Sequence, residues 1–212
     1  TLAFTFFPIW IARLCEQFGP VRSRLMALNV HDAAMRLVEG GCDLLIAYHH
    51  PSQPLQLDAE RYDMVVLGTE HMAAYVKPGP DGQALYALPG AQDRPLPYLA
   101  YAPGAYLGSV SDWMLRQARS PVHLDRVYET DMAEGLKAMA LEGHGLAFLP
   151  SSAVAKELQA GLLVPAVGSQ PVLPEVALQI RAYRARAGAK SPAKRSLQAL
   201  WSHLEDSAPP SV

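Results

Sequence analysis

Two adjacent histidines follow a buried apolar run and are the first side chains with the means to do chemistry. Tyr48, His49 and His50 come directly after the run that ends at Ala47. Ligands bind beyond the carboxyl ends of strands in open α/β sheets, so we predict a ligand site at Tyr48 and His49, where His49 or His50 contacts an effector or titrates with pH. A solvated loop is the alternative, and it stays open. No third histidine or cysteine lies nearby, so no metal site is predicted.

Four predicted helix starts supply a second kind of site, one suited to a small anion. The first turn of a helix leaves backbone N–H groups free at the positive end of the helix dipole. The free N–H groups and the helix dipole therefore favour a small anion as the ligand. For Thr1 and Thr130 the alternative is simple helix capping. The residues placed at these starts are Thr1, Asn29, His31, Tyr101, Tyr106, Thr130 and Met132.

Met132 carries a different chemistry from the other candidates. Oxidation turns a methionine thioether into a polar sulfoxide, and the change is reversible. At a helix start such a change would alter the packing there, so Met132 is a candidate redox switch. The alternative is an ordinary core methionine, one of seven in the chain.

The motifs give no support to catalysis. The chain contains neither a G-x-S-x-G nucleophile turn nor a phosphate-binding G-x-x-x-x-G-K-[ST] loop. His144 lies between two glycines that end a predicted helix, so a structural turn explains it. Cys15 and Cys42 are interpreted as packing residues rather than as a disulfide pair. The sequence therefore predicts no enzyme, no catalytic residue and no bound cofactor.

The composition is that of a globular α/β protein. Half of the 212 residues are hydrophobic, which is enough for a sizeable core. The 18 basic and 20 acidic residues give a net charge of −2, which argues against a nucleic-acid-binding surface spread over the whole chain. No run of about 18 uncharged apolar residues occurs, so neither a membrane-spanning helix nor a membrane partner is predicted.

One supersecondary unit occurs in each half of the chain. Residues 32–47 read DAAMRLVEGGCDLLIA, in which an amphipathic helix starting at Asp32 ends at Gly40 and is followed by an apolar strand. Residues 131–149 read DMAEGLKAMALEGHGLAFL and repeat the plan, with Asp131 as the helix cap. Two similar α/β lobes are the simplest explanation of this repeat.

The other predicted elements fill the two lobes. An amphipathic helix with an early Pro8 opens the chain. Further strands are predicted over residues 64–67, 72–76, 99–101, 123–128, 162–164 and 176–183, and further helices over residues 109–118, 152–159 and 191–204.

The sequence resembles the effector-binding (regulatory) domain of LysR-type transcriptional regulators over nearly its whole length. The matching segments are PIWIARL, LVEGGCDLLIAY, LGTEHMAAYVKPG, MALEGHGLAFLPSSAVAKELQAGLLVP and VALQIRAYR. The resemblance implies two Rossmann-like lobes joined by two crossover strands, as in type 2 periplasmic binding proteins. One lobe would combine residues 1–72 with 176–212 and the other would span 73–175.

The resemblance also implies a function. A small-molecule effector, or an oxidant, would be sensed in the cleft between the lobes. A winged helix-turn-helix, absent from this chain, would precede residue 1 and bind DNA in the cytoplasm. The chain would form a homodimer or homotetramer in which the helix over 32–39 packs on the helix over 131–141 of a second copy. A solute-binding protein of a transporter, which shares this fold, is the alternative function.

A narrower resemblance concerns the hypochlorite-responsive branch of that family. The segments LAYAPGAYLGS and YETDMAEGLKAMALEGHGLAFLP are similar to it, and Met132 matches a methionine of that branch. Leu107 and Cys15 stand where two further methionines would be placed, so the match is incomplete.

Overall fold

The computed structural model describes residues 1–168, 170–186 and 195–207. By its internal contacts the chain divides into two units. Unit 1 consists of Thr1–Leu25 and His71–Ala177, and unit 2 consists of Met26–Glu70 with the described residues from Leu178 onward. The predicted lobe boundaries at 72 and 175 lie within two residues of the unit boundaries, whereas residues 1–25 lie in unit 1 instead of joining residues 26–72.

Two long strands carry the chain from one unit to the other. Strand β2 (Tyr62–Val76) begins in unit 2, and strand β7 (Val176–Ala185) begins in unit 1. The prediction of two separate strands over 64–67 and 72–76 is wrong, because Gly68–His71 continue the same extended backbone.

Unit 1 is built around three parallel strands with helices between them. Its sheet places β3 between β5 and β4, with β3 parallel to both, while β2 and its short neighbour β6 are antiparallel additions. The remaining elements of unit 1 are α1 (Leu2–Thr5), α2 (Phe7–Phe18), β3 (Leu96–Tyr101), α4 (Tyr106–Arg116), β4 (Leu124–Thr130), α5 (Ala133–Leu141), β5 (Leu146–Pro150), α6 (Ser151–Gln159) and β6 (Val164–Pro165).

The core of unit 1 lies on β5 and the helices that cover it. All five residues of β5 are buried, as its uninterrupted apolar sequence predicts for a strand covered on both faces. Leu136 of α5 and Val154 of α6 are fully buried beside it. The single helix predicted at the start of the chain is instead α1 and α2, which meet at Phe6, and Pro8 lies in the first turn of α2 where it is tolerated.

Unit 2 packs helices on both faces of a smaller sheet. Helix α3 (Val30–Val38) covers one face through Ala34 and Leu37, which contact Leu45 and Ala47 of strand β1 (Leu45–His49). Strand β1 runs antiparallel to β7. Helix α7 (Arg195–Ser207) contributes the buried Trp201, whose ring lies 4.5 Å from the Arg184 guanidinium of β7. Residues 191–194 of the predicted last helix lie outside the described residues.

The predicted repeat is confirmed, with corrected starts and ends. Both α3 and α5 end in a glycine with positive φ, 72° at Gly40 and 84° at Gly143, and a strand follows each of them. Helix α3 begins earlier than predicted, with Asn29 rather than Asp32 as its N-cap. Helix α5 begins one residue later than predicted, with Met132 rather than Asp131 as its N-cap. Strand β1 reaches His49, because it pairs with β7 as far as Gln179.

Candidate functional site

The nine predicted site residues fall into two sets, one in each unit. Unit 1 contains Thr1, Tyr101, Tyr106, Thr130 and Met132, and unit 2 contains Asn29, His31, Tyr48 and His49.

The carboxyl ends of the parallel strands of unit 1 meet at one edge of its sheet. Tyr101 ends β3 and is paired in register with Thr130, which ends β4. The backbone N–H of Ala102 donates to the Thr130 carbonyl at 2.9 Å and holds the two strand ends together. Helices α4, α5 and α6 each begin within a few residues of this edge. Three helix N-termini therefore converge where ligands bind in open α/β sheets.

The first turn of α4 lies unusually close to the end of β3. A Cβ atom placed on Gly108 would stand 2.8 Å from the Tyr101 Cβ, so only glycine fits at this position. This approach brings the start of α4 at Tyr106 to the strand end that carries Tyr101. Tyr101 and Tyr106, which the sequence assigns to one turn, therefore lie at the same edge of the unit 1 sheet as Thr130, and their contact with an effector stays a prediction.

Met132 lies at the surface rather than in a core. It is the N-cap residue of α5, and its side chain is 55% exposed. The Met132 N–H donates to Thr130 Oγ1 at 3.3 Å, while the Met132 carbonyl accepts from Gly135 and Leu136 N–H. Core packing therefore does not explain this methionine, and the Thr130 hydroxyl closes a local turn before α5.

Thr1 is the N-cap residue of α1 in unit 1. Its carbonyl accepts from the Phe4 N–H at 2.9 Å and the Thr5 N–H at 3.1 Å, so it caps α1 through the backbone. Its own hydroxyl makes no side-chain cap bond.

The four candidates of unit 2 divide between different surroundings. Asn29 is the N-cap of α3 without a side-chain cap bond, and it and His31 are exposed. Tyr48 and His49 are successive residues of β1, so their side chains leave opposite faces of the sheet. The structure therefore separates Tyr48 from His49, which the sequence had placed in a single loop.

Two polar residues of β7 join His49 on its face of the sheet, and neither is a candidate that the sequence predicts. His49 is paired with Gln179 and Ala47 with Arg181, and paired residues of antiparallel strands point to the same side. Arg181 Nε donates to Gln179 Oε1 at 2.7 Å. The alternation in VALQIRAYR places both residues on one face, but only the pairing with β1 brings them to His49.

The surroundings of both histidines at the end of β1 favour the neutral form of the ring. Burial, the Arg181 charge and His50 lower the pKa of His49, and burial lowers the pKa of His50. His50 Nδ1 lies 2.6 Å from Ser52 Oγ and accepts the Ser52 N–H at 3.2 Å, which requires an unprotonated nitrogen.

These lowered pKa values predict that unit 2 loses stability in mild acid. The unfolded chain takes up protons on both histidines as the pH falls through about 6.5, while the folded chain resists. Their contribution to the free energy of unfolding is therefore present above that pH and lost below it. Thermal melts from pH 7.5 to 5.5 should show a falling Tm, with a shallower fall in a His49→Gln/His50→Asn variant. An equal slope in both proteins would contradict this assignment.

Neither a metal-ligand cluster nor a membrane-spanning helix occurs in the described ranges. No group of three or more His, Cys, Asp or Glu side chains suited to a metal ion is found there. None of the helices in those ranges has the length and apolar character that a membrane crossing requires.

Comparison with known proteins gives one family match. The model of the LysR substrate binding domain matches residues 1–208. The HTH-type transcriptional regulator YjiE of Escherichia coli K12 is 29% identical over 164 residues, covering 74% of this chain and 48% of that protein. The HTH domain-truncated transcriptional regulator QseD of Escherichia coli O157:H7 is also 29% identical and is covered to 61%. The chain thus spans about half to three fifths of the length of these relatives.

Solved structures share the fold. The apo regulatory domain of HypT from Salmonella typhimurium has a TM-score of 0.78 at 22% identity, with 97% of this chain and 90% of that one covered. Full-length HypT, described as a hypochlorite-specific LysR-type transcriptional regulator, has a TM-score of 0.77 at 22% identity, with 97% and 64% covered. These likenesses confirm the predicted α/β fold of the type 2 periplasmic-binding-protein kind.

Proposed function

Because the chain belongs to the LysR substrate-binding domain family, we propose that it is the effector-sensing part of a LysR-type transcriptional regulator. The family match over residues 1–208 carries this proposal. Both curated relatives are named as transcriptional regulators, which favours this function over the solute-binding protein of a transporter. The regulator would bind DNA in the cytoplasm through an N-terminal winged helix-turn-helix, and this chain would bind its effector without catalysing a reaction.

The signal that we propose is an oxidant acting on Met132. The observation that supports it is the exposed thioether at the N-cap of α5, beside the strand edge formed by Tyr101 and Thr130. A sulfoxide oxygen there would accept hydrogen bonds that the thioether cannot, and so change the capping of α5. HypT, which has the same fold, is described as hypochlorite-specific. A small anion bound at the same helix N-termini is the second candidate signal.

Peptide mass spectrometry after sub-stoichiometric hypochlorite tests the oxidant. Met64 is exposed to 45%, close to the 55% of Met132, so it is the matched comparator. Met72 and Met114, exposed to 3% and 1%, are the protected references. We expect several-fold more sulfoxide at Met132 than at Met64, and Met132→Gln in the full-length regulator should mimic the oxidised state.

Oxidation that merely follows exposure would exclude Met132 as the sensor. The small-anion signal would then be tested by thermal shift with anions of increasing size. A full-length protein that fails to bind DNA in any state would exclude the regulatory function itself.

We further propose that two copies associate through α3 and α5. Helix α3 buries Ala34 and Leu37 within its own unit but leaves Met35 and Val38 exposed on the outer face. Val127 of β4 is exposed near the start of α5. Exposed apolar side chains at such spacing favour an antiparallel contact of α3 with α5 of a second copy, as a homodimer or within a homotetramer.

Val38→Asp is expected to weaken this association at least tenfold, because it places a charge in the apolar centre of the contact. Sedimentation velocity over a concentration series measures the change. Val167→Asp is the matched control, since Val167 is exposed to 60% but lies on neither helix. Equal association of the two variants would contradict the proposed contact.

A further inference from the structure

One face of the unit 2 sheet carries a group of hydrogen-bond donors. His49 of β1 and Gln179 and Arg181 of β7 project from this face, because His49 pairs with Gln179 and Ala47 pairs with Arg181. His49 and Arg181 are both half-buried. We call these three residues the donor cluster.

The internal hydrogen bond of the donor cluster engages the Gln179 amide oxygen and none of the Gln179 N–H groups. Arg181 Nε donates to Gln179 Oε1 at 2.7 Å, so the two N–H groups of the amide nitrogen lie outside that bond. The same bond fixes the plane of the guanidinium, whose Nη atoms keep their remaining N–H groups. Burial raises the pKa of the Tyr183 hydroxyl, and its hydrogen bond with Arg181 opposes that rise.

Two neighbouring arginines form ion pairs with a carboxylate, which the donor cluster does not contain. Arg184 and Arg186 of the same segment both pair with Asp63, at 3.1 and 2.7 Å. Within the ranges that the structure describes, no carboxylate forms an ion pair with Arg181. His49 Nδ1 is buried there and makes no hydrogen bond. A half-buried guanidinium without a carboxylate carries a desolvation cost that a bound anion would relieve, and the His49 ring nitrogen adds a polar atom without a hydrogen bond.

We propose that the donor cluster of unit 2 binds a ligand through its carboxylate group. Two guanidinium Nη–H groups match the spacing of two carboxylate oxygens, and the Gln179 amide and a His49 ring N–H are further donors on the same face. The inference rests on the proposed function, in that it assigns a chemical class to the effector of this domain. It adds Gln179 and Arg181 as specificity-determining residues.

Acetate is the probe, titrated into the full chain at constant ionic strength against sodium chloride. The readouts are Tm and the His49 ring resonances in NMR, assigned by their loss in His49→Gln. We expect a saturable shift of the His49 resonances and a rise in Tm with acetate. Arg181→Gln should lower the affinity for acetate at least tenfold. Arg184→Gln, on the same strand, should lower the starting Tm and keep the response.

Gln179→Glu supplies a second, opposite test. A carboxylate built into the chain would pair with Arg181, so this variant should have a raised Tm and no response to acetate. The proposal is overturned if acetate gives no saturable shift, if chloride gives the same shift, or if Arg181→Gln responds like the parent.

These outcomes are separable from those of the proposed function. Failure of acetate binding beside preferential oxidation of Met132 or retained DNA binding would refute the donor cluster alone. Acetate binding by a full-length protein that does not bind DNA would refute the regulatory function and leave the donor cluster standing.

Discussion

Gly145→Ala is expected to lower the free energy of unfolding by about 3 kcal/mol, at the upper end of the range for overpacking. Gly145 lies directly before β5, where β5 and β3 come together at the pair Leu146 and Tyr98. An added Cβ would stand 2.6 Å from the Pro97 carbonyl oxygen and 3.1 Å from Leu99 Cγ. Backbone in the centre of a buried sheet cannot move aside as a flexible side chain does, so the two parallel strands must separate.

Gly68→Ala is the control for this prediction. Gly68 lies within β2, and a Cβ there would meet no heavy atom within 4 Å. Neither glycine has a positive φ, so the comparison isolates the steric contact from backbone strain. Urea unfolding should show a midpoint shift in Gly145→Ala several times that in Gly68→Ala. Similar shifts would mean that the close approach to Pro97 is relaxed at little cost.

The same glycines show how far a sequence can be interpreted. Gly143 and Gly145 were both predicted to end a helix, and only Gly143 has the left-handed backbone of a helix C-terminus. Gly145 is needed because a neighbouring strand passes too close for a side chain. A left-handed helix end and a close approach of a neighbouring strand both require glycine, so the local sequence cannot tell one requirement from the other. The pairing of β5 with β3 shows that the second requirement applies to Gly145.

The candidate sites likewise combine positions that the local sequence predicts with contacts that only long-range strand pairing creates. The placement of Tyr101, Tyr106 and Thr130 at one edge was predictable, because each follows or ends a strand and parallel strands align their carboxyl ends. The partners of His49 were not, because β7 lies far along the chain and its register against β1 is set by long-range pairing. The exposure of Met132 was also beyond the sequence, since a methionine at a helix start is compatible with either environment.

Lys137→Met is expected to lower the free energy of unfolding by about 2 kcal/mol, less than the ~3–5 kcal/mol for breaking a fully buried pair. Lys137 Nζ of α5 donates to Glu134 at 2.8 Å and to the Ala153 carbonyl at 3.0 Å, and lies 3.4 Å from Glu157 of α6. Burial lowers the pKa of Lys137, but the bonds and charges of the two glutamates outweigh it and raise the pKa overall. The ammonium therefore stabilises the fold below about pH 10.5, the ordinary lysine pKa.

That stabilisation is lost as the pH rises through the raised pKa of Lys137, and Lys137→Met removes it at every pH. The variant leaves two carboxylates without their cation and one carbonyl without its donor. The Lys137, Glu157 and Glu134 side chains are 17%, 19% and 32% exposed, so solvent screening makes the cost smaller than that of a fully buried pair.

Lys156→Met separates this contact from the general loss of a lysine. Lys156 is exposed on α6, so its replacement should change stability by less than about 0.5 kcal/mol. Hydrogen exchange would then locate the effect. Lys137 ties the first turn of α5 to α6, and the amides after Met132 should exchange faster in Lys137→Met than in Lys156→Met. Unchanged exchange in that turn, even with a lowered Tm, would mean that the lysine stabilises unit 1 without holding the start of α5 in place.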